Sequence, residues 1–284
     1  MRAVLGGHAD AIRIGLARAG QPRVVGRDDL RIVAARIGGV PVRAAADDHD
    51  QTAVRAVFAG VARRYDLANH LLSGFLDTRW RRRTVARVAP RPGERILDVA
   101  CGTGALTVEL ARALGPDGEV VGVDFCEEML AMARARCMPG SAGRPMAKVE
   151  WRTADAQRTG LPDAAFDAAT CAFGVRNMMD RLPVVLAEMR RVLRPGGRVG
   201  ILEFSLPRRR LLRHAEQVWL AALVPLIGGC LTGRFGPYRY LGRTIRAWDH
   251  HVDLSAELRA AGFVGAVARP MHGGIVTLHQ ARRA

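Results

Sequence analysis

From residue 52 onward, apolar positions fall into two alternating patterns, short continuous runs and helically spaced sets. Val54, Val57, Phe58 and Val61 open the series at helical spacing, which predicts a helical cap ahead of the first strand. The run ILDV, Ile96 to Val99, then passes through Gly102 and Gly104 into Leu106, Leu110 and Leu114. That is the pattern of a strand, a tight turn and a helix. A second run, VVGV, ends in Asp124 and leads into EEMLAMARARC, a helix whose acidic first turn suits the helix dipole. A third strand ends near Thr153, and a fourth covers Phe166 to Phe173. The helix LPVVLAEMRRVL is closed by the turn Arg194 to Gly197, after which RVGILEF makes a fifth strand. Beyond an insertion over 205–251, the helix SAELRAAGF, a strand over Val264 to Arg269 and a strand GGIVTLH finish the chain. Strands alternating with helices in this way predict an α/β protein with a doubly wound, mostly parallel sheet and an antiparallel end.

Residues 1–51 break the pattern. An organelle transit peptide is poor in acids, yet Asp10, Asp28, Asp29, Asp47, Asp48 and Asp50 lie here, and a signal peptide's apolar stretch is missing. The stretch reads as a poorly structured extension or a mis-assigned start, ahead of one domain over 52–284. Within that domain, 52–90 is the helical cap and 205–251 a lid insertion. The insertion begins with Arg208 to Arg210 and continues into the longest uncharged run, Val218 to Gly233, which Pro225, Gly228 and Gly229 are expected to interrupt. Such a run is too short to span a membrane. Basic residues beside an apolar helix suit a membrane surface or a greasy substrate tail, and a lid helix packed on the core would look much the same.

Composition narrows the partners. Of the 284 residues, 49% are hydrophobic, enough for a sizeable core. The formal net charge is +16, but Lys148 is the only lysine, a bias that points to codon preference more than to a nucleic-acid surface. No specific nucleic acid is expected, and the charge favours anionic surfaces, membranes included. The five cysteines show no C-x-x-C pairing and no zinc spacing, which argues against a disulfide framework and for a reducing cytoplasm.

The chemistry concentrates around the first turn. Gly102 and Gly104 let the backbone approach a ligand where the free N–H groups of the following helix converge. Asp98 and Asp124 then choose the ligand. A pyrophosphate would be repelled by Asp98, and the third small residue that a dinucleotide turn needs is Thr107 here. A ligand with a cationic amino-acid end and a ribose fits instead: S-adenosylmethionine, with Asp124 accepting from the ribose hydroxyls. Asp155 is placed after the third strand to meet the adenine amino group, or else caps the next short helix. Arg176 and Asn177 lie just beyond the fourth strand, where catalytic groups of open sheets gather, or form a helix-capping turn. Arg79, Arg81, Arg82 and Arg83 read as a solvated basic face.

The stretch VFAGVARRYDLANHLLSGFLDTRW, Val57 to Trp80, resembles the N-terminal signature of the quinone-biosynthesis C-methyltransferases, enzymes that methylate demethylmenaquinol and polyprenyl-methoxy-benzoquinol. RVLRPGGRVGILEFS, Arg191 to Ser205, resembles their second signature, and FGVRNMMD, YRYLGRTI and GGIVTLH resemble further blocks. The likeness covers about Val54 to His279. It departs at Ala68 and Asp77, where the family carries methionine and histidine, and after Ile245, where a phenylalanine-proline pair and a glutamine are usual. The resemblance implies a Rossmann-like class I methyltransferase fold, with a mostly parallel seven-stranded sheet, helices on both faces and an antiparallel final hairpin. It implies S-adenosyl-L-methionine as cofactor and S-adenosyl-L-homocysteine as product. Contacts at Thr103, Asp124, Asp155, Ala156 and, through its backbone, Ala172 would join Asp98, Gly102 and Gly104.

On the same resemblance the acceptor is a prenylated quinol of menaquinone or ubiquinone biosynthesis, with Arg176 and Asn177 on the substrate side. A hydroquinone ring carbon becomes a nucleophile once a neighbouring hydroxyl loses its proton. Arg176 would then stabilise the phenolate or polarise a water, Asn177 would orient it, and Tyr65 or Asp66 would face the ring; no metal is required. The rival readings are a methyltransferase of another lipid-like or phenolic acceptor, and a non-catalytic S-adenosylmethionine-binding protein with a basic RNA- or partner-binding surface. Peripheral contact at the inner face of the membrane and a homodimer are both left open.

Overall fold

The computed structural model describes residues 70–137 and 146–284. The extension over 1–51 and the first part of the expected cap, with Tyr65, Asp66 and Ala68, lie outside the described residues. Seven strands form one sheet: β1 (Arg95–Val99), β2 (Glu119–Asp124), β3 (Lys148–Thr153), β4 (Phe166–Ala172), β5 (Leu193–Phe204), β6 (Phe263–Met271) and β7 (Val276–Arg283). Their order is β3-β2-β1-β4-β5-β7-β6. Strands β1 to β5 are parallel, and β7 runs antiparallel between β5 and β6. Among the described residues, the α-helices are α1 (Leu76–Val88), α2 (Ala105–Leu114), α3 (Glu127–Arg136), α4 (Leu182–Val192), α5 (Arg210–Val218), α6 (Val224–Thr232), α7 (Gly236–His251) and α8 (Leu254–Ala260).

Alternation along the strands decides which side chain meets which helix layer. Ile96, Val120 and Ala168 face α1 and α2, which bury Val85, Val88, Leu106, Leu110 and Leu114 against them. Leu97, Val99, Val121 and Ala169 face the other way, onto Leu182, Leu186 and Met189 of α4 and Leu258 of α8. Both faces of the sheet are therefore covered, which is why the central strands read as unbroken apolar runs. Strand order reverses between β1 and β4, so the C-terminal ends of these strands open a crevice there.

Three local expectations change. The turn Arg194 to Gly197 lies inside β5 rather than before it: α4 stops where Leu193 turns extended, Leu193 pairs with Phe166, and the register slips so that Arg198 pairs with Ala168. Burying both Leu193 and Phe166 completely is what anchors the strand ahead of the excursion. Gly273 and Gly274 form a positive-φ turn, so the last strand begins at Val276. Finally, Pro225, Gly228 and Gly229 do not interrupt the insertion's apolar run. Helices α5 and α6, joined by the π-helical turn Trp219–Leu223, make one continuous helix, Arg210–Thr232, of 23 residues. Pro225 follows directly on that π-helical turn, where the regular i→i−4 ladder is already interrupted. Gly228 and Gly229 leave room for the rings of Tyr238 and Phe235. By length and composition this helix is apolar enough to cross a membrane, with a mean hydropathy of 1.4 over 18 residues.

Candidate active site

The chain leaves β1 with Ala100 at φ 52° and turns through Gly102 at φ 55° and Gly104 at φ 74° into α2. Gly104 is required twice over, by its left-handed backbone and because a Cβ there would stand 2.5 Å from Trp151 of β3. A Cβ on Gly122 would meet the same indole at 2.7 Å. Trp151 thus packs beneath the loop and fixes its height above the sheet.

Asp98 and Asp124 end up buried at the crevice. The hydroxyls of Thr107 and Thr170 donate to Asp98 at 2.6 and 2.8 Å, so Thr107 is there to hold a carboxylate. Burial pushes the Asp98 carboxyl up to about 6, although both hydroxyls pull it down. A cation brought close would favour its ionised form. Asp124 accepts from the backbone N–H groups of Gly102 at 2.8 Å and Cys126 at 2.9 Å, and burial raises its carboxyl against those amides. Arg136 donates to the Thr103 carbonyl at 2.9 Å, clamping the glycine loop to α3. Asp155 accepts from the backbone N–H of Gln157 at 2.9 Å and from its side-chain amide at 3.0 Å. No helix follows for it to cap: the chain makes a tight turn closed by the Asp155–Arg158 bridge, and Asp155 holds Gln157 in that turn while lining the crevice.

One cavity of about 470 Å³ joins these residues to the insertion and the cap. Asp98, Gly102, Thr103, Asp124, Asp155, Ala156, Ala172, Arg176 and Asn177 all line it; Gly104 stands behind the wall; and Tyr65 lies outside the described residues. Leu72, Trp219, Leu220, Val224, Leu241 and Ile245 make a large part of its wall apolar. Arg176 is 2% exposed, and its guanidinium meets Glu203 at 2.9 Å while its backbone N–H reaches the other carboxylate oxygen at 3.2 Å. The same guanidinium lies over the Phe204 ring, 5.3 Å from its centroid. Much of its charge is consequently spent inside the protein. Asn177 accepts through Oδ1 from the Tyr240 hydroxyl at 3.2 Å.

Sequence reasoning passed over a cluster on α1. Asp77 is buried and bonded to His70 at 2.6 Å, to the Ser73 hydroxyl at 3.3 Å and to Arg81. Burial opposes its ionisation, but the Arg81 charge and the bonds from His70 and Arg81 outweigh it and hold the carboxyl below its usual range. Arg81 is thus not part of a solvated face like the exposed Arg79, Arg82 and Arg83. The signal that could have found the pair is its i, i+4 spacing, which puts both side chains on one side of a helix. Trp80, next to them, donates through Nε1 to His272 at 2.7 Å and stands with Phe173 and Phe204 in an aromatic group beside the cavity.

Residues 46–283 match the model of the ubiE/COQ5 methyltransferase family. The chain belongs to this family. The Ubiquinone/menaquinone biosynthesis C-methyltransferase UbiE of Teredinibacter turnerae is 39% identical over 231 residues, covering 81% of this chain and 91% of its own length. The protein of the same name in Geobacter sulfurreducens is 40% identical over 227 residues, covering 80% and 86%. Among solved structures, a SAM-dependent methyltransferase from Aquifex aeolicus aligns with a TM-score of 0.51 at 18% identity, covering 72% of this chain and 89% of that one. Another, from Thermotoga maritima, aligns at 0.53 and 18%, covering 81% and 99%. The two share the fold. The expected class of enzyme, a methyltransferase with S-adenosylmethionine as donor, stands with the family.

The buried ion pair yields a measurable consequence. Arg176→Ala leaves Glu203 buried without its partner and should cost about 3–5 kcal/mol in urea unfolding, whereas Arg176→Met with Glu203→Leu should recover most of it. A loss below about 1 kcal/mol in the single variant would mean that the pair does not hold this wall.

Proposed function

We propose that this enzyme transfers a methyl group from S-adenosylmethionine to a ring carbon of a prenylated hydroquinone, on the route to menaquinone or ubiquinone. The observation that carries the reading is one continuous cavity, with buried carboxylates around a glycine turn at one side and an apolar wall at the other. The residues suit the cofactor. Asp98, raised by burial, gains from a cation beside it, and no phosphate would be welcome near Asp98 and Asp124. Asp98, Gly102 and Thr103 hold the cationic amino-acid end, on the turn that Gly104 shapes from behind the wall. Asp124 takes the ribose hydroxyls on the lone pairs its two amides leave, Asp155 and Ala156 meet the adenine, and Ala172 offers backbone.

When bound, the cofactor supplies an electrophilic methyl on a sulfonium. The protein's task is to hold a phenolic ring in line with it and keep water out, and most of the rate should come from that positioning. Asn177, oriented by Tyr240, aligns the phenolic oxygen. Arg176, paired with Glu203, acts mainly by fixing the wall on which the ring rests. Leu72, Trp219, Leu220, Leu241 and Ile245 receive the apolar tail.

The same reading places the enzyme in the cytoplasm, at the inner face of the membrane. Leu211 is 87% exposed, and Leu212, Val218, Leu223 and Leu226 are exposed on the same continuous helix, just beyond Arg208 to Arg210. An apolar outer face beside arginines suits an anionic bilayer, where a prenylated acceptor resides.

Labelled methyl transfer offered to demethylmenaquinol, a benzoquinol and a phospholipid side by side tests the function. Label in a quinol supports it, and label in the phospholipid alone overturns it. Asp124→Ala should lose roughly 1.5–3 kcal/mol of S-adenosylmethionine binding by calorimetry, a charged acceptor's share; unchanged affinity removes the ribose assignment. Leu211→Glu with Leu226→Glu should reduce sedimentation with anionic vesicles by about tenfold or more. Equal sedimentation of variant and parent would dismiss the membrane face.

A further inference from the structure

Among the described residues, five carboxylates line the cavity: Asp77, Asp98, Asp124, Asp155 and Glu216. Four are already held. Asp98 has two threonine hydroxyls, Asp124 two backbone amides, Asp155 the Gln157 side chain, and Asp77 the His70, Ser73 and Arg81 side chains. Glu216 is the exception. Among the described residues, no hydrogen bond or ion pair reaches its carboxylate, and its neighbours on the wall one turn further on are Trp219 and Leu220. It stands at the end of α5, immediately before the π-helical turn that feeds Trp219 and Leu220 into the cavity. Such turns often shape functional sites.

We propose that Glu216 accepts the phenolic proton of the acceptor. The inference rests on the quinol reading above and goes beyond it by naming the base. The arginines that line the cavity or share α5 with Glu216 are engaged elsewhere or solvated: Arg213 pairs with Asp249 at 2.9 Å, Arg81 with Asp77 and Arg176 with Glu203, while Arg210 is exposed. His214, the remaining titratable group on that helix, is exposed. Burial alone therefore acts on the Glu216 carboxyl, and it raises it, which makes a stronger base than an ordinary carboxylate. Asp77, held ionised by Arg81, is the weaker base of the two.

The balance closes with water. Glu216 takes the hydroxyl proton, and the O–H electron pair shifts through the ring to the carbon that forms the new bond to the methyl group. The donor sulfur keeps the pair of the bond that breaks. The methylated ring carbon then gives up its hydrogen as a proton to water, the ring pair returns to oxygen, and Glu216 hands its proton back. One proton per turnover leaves for solvent.

In the full-length enzyme, Glu216→Gln should lower kcat by about 10²–10⁴-fold at neutral pH, the usual share of a general base. Its affinity for S-adenosylmethionine by calorimetry should stay within about twofold, since the proton-accepting wall is not the cofactor wall. The parent's kcat/KM should rise with pH along a limb set by a carboxyl above its ordinary range. That limb should vanish in the variant, whose deficit should narrow as pH approaches the quinol's own ionisation. Glu216→Asp should restore part of the rate. A Gln variant within about threefold of the parent at every pH overturns the proposal, as does a deficit that pH leaves unchanged and Asp does not relieve. If the parent itself transfers no methyl to any quinol, the proposal falls together with the reading beneath it; an active parent matched by an active Gln variant removes Glu216 alone.

Discussion

Two carboxylates, Asp98 and Asp124, are buried side by side at the ends of adjacent parallel strands, and much of the molecule serves to keep them there. Taking an ionised carboxylate out of water is expensive unless hydrogen bonds replace the lost hydration. Thr107, Thr170 and the amides of Gly102 and Cys126 replace part of it. Burial still wins, since both carboxyls lie above their ordinary range. A cationic, hydroxyl-bearing ligand would relieve the remaining cost.

The glycine loop has its shape for the same reason. Its backbone must come close enough to donate into Asp124, and Trp151 sets how close by packing under Gly104 and Gly122. Arg136 ties the loop to α3 through the Thr103 carbonyl. These contacts come from β2, β3 and α3, so three separate elements hold the loop in place.

The opposite wall obeys different physics. There the insertion lays one face of a long helix over the sheet ends and leaves its other face apolar and exposed. The Arg176–Glu203 and Asp77–Arg81 pairs share the cavity with this apolar wall, and neither charge can leave its partner cheaply. A cavity that is polar and fixed at one end, and apolar and continuous with an exposed helix at the other, suits an acceptor whose head reacts and whose tail stays in lipid.

Along the chain, the periodicities of apolar residues were enough to place the strands, the helices and the glycine turn, because strand and helix patterns are local and the doubly wound topology leaves few alternatives. Asp98, Asp124, Asp155, Arg176 and Asn177 were legible for a related reason: in such a sheet, position after a strand's end already means position at the crevice. What the sequence could not reveal depends on partners far apart in the chain. Arg176 was readable as a charge but not as one half of a pair with Glu203, since the pairing of β4 with β5 brings them together. The turn at Arg194 to Gly197 looked like a helix stop until the burial of Leu193 against Phe166 drew it into the sheet. Pro225, Gly228 and Gly229 looked like breaks, yet a π-helical turn and two incoming rings make them parts of one helix. Glu216 was one more polar residue on an amphipathic helix. Only the packing of that helix over the crevice leaves it as a carboxylate on the cavity wall that no described residue holds.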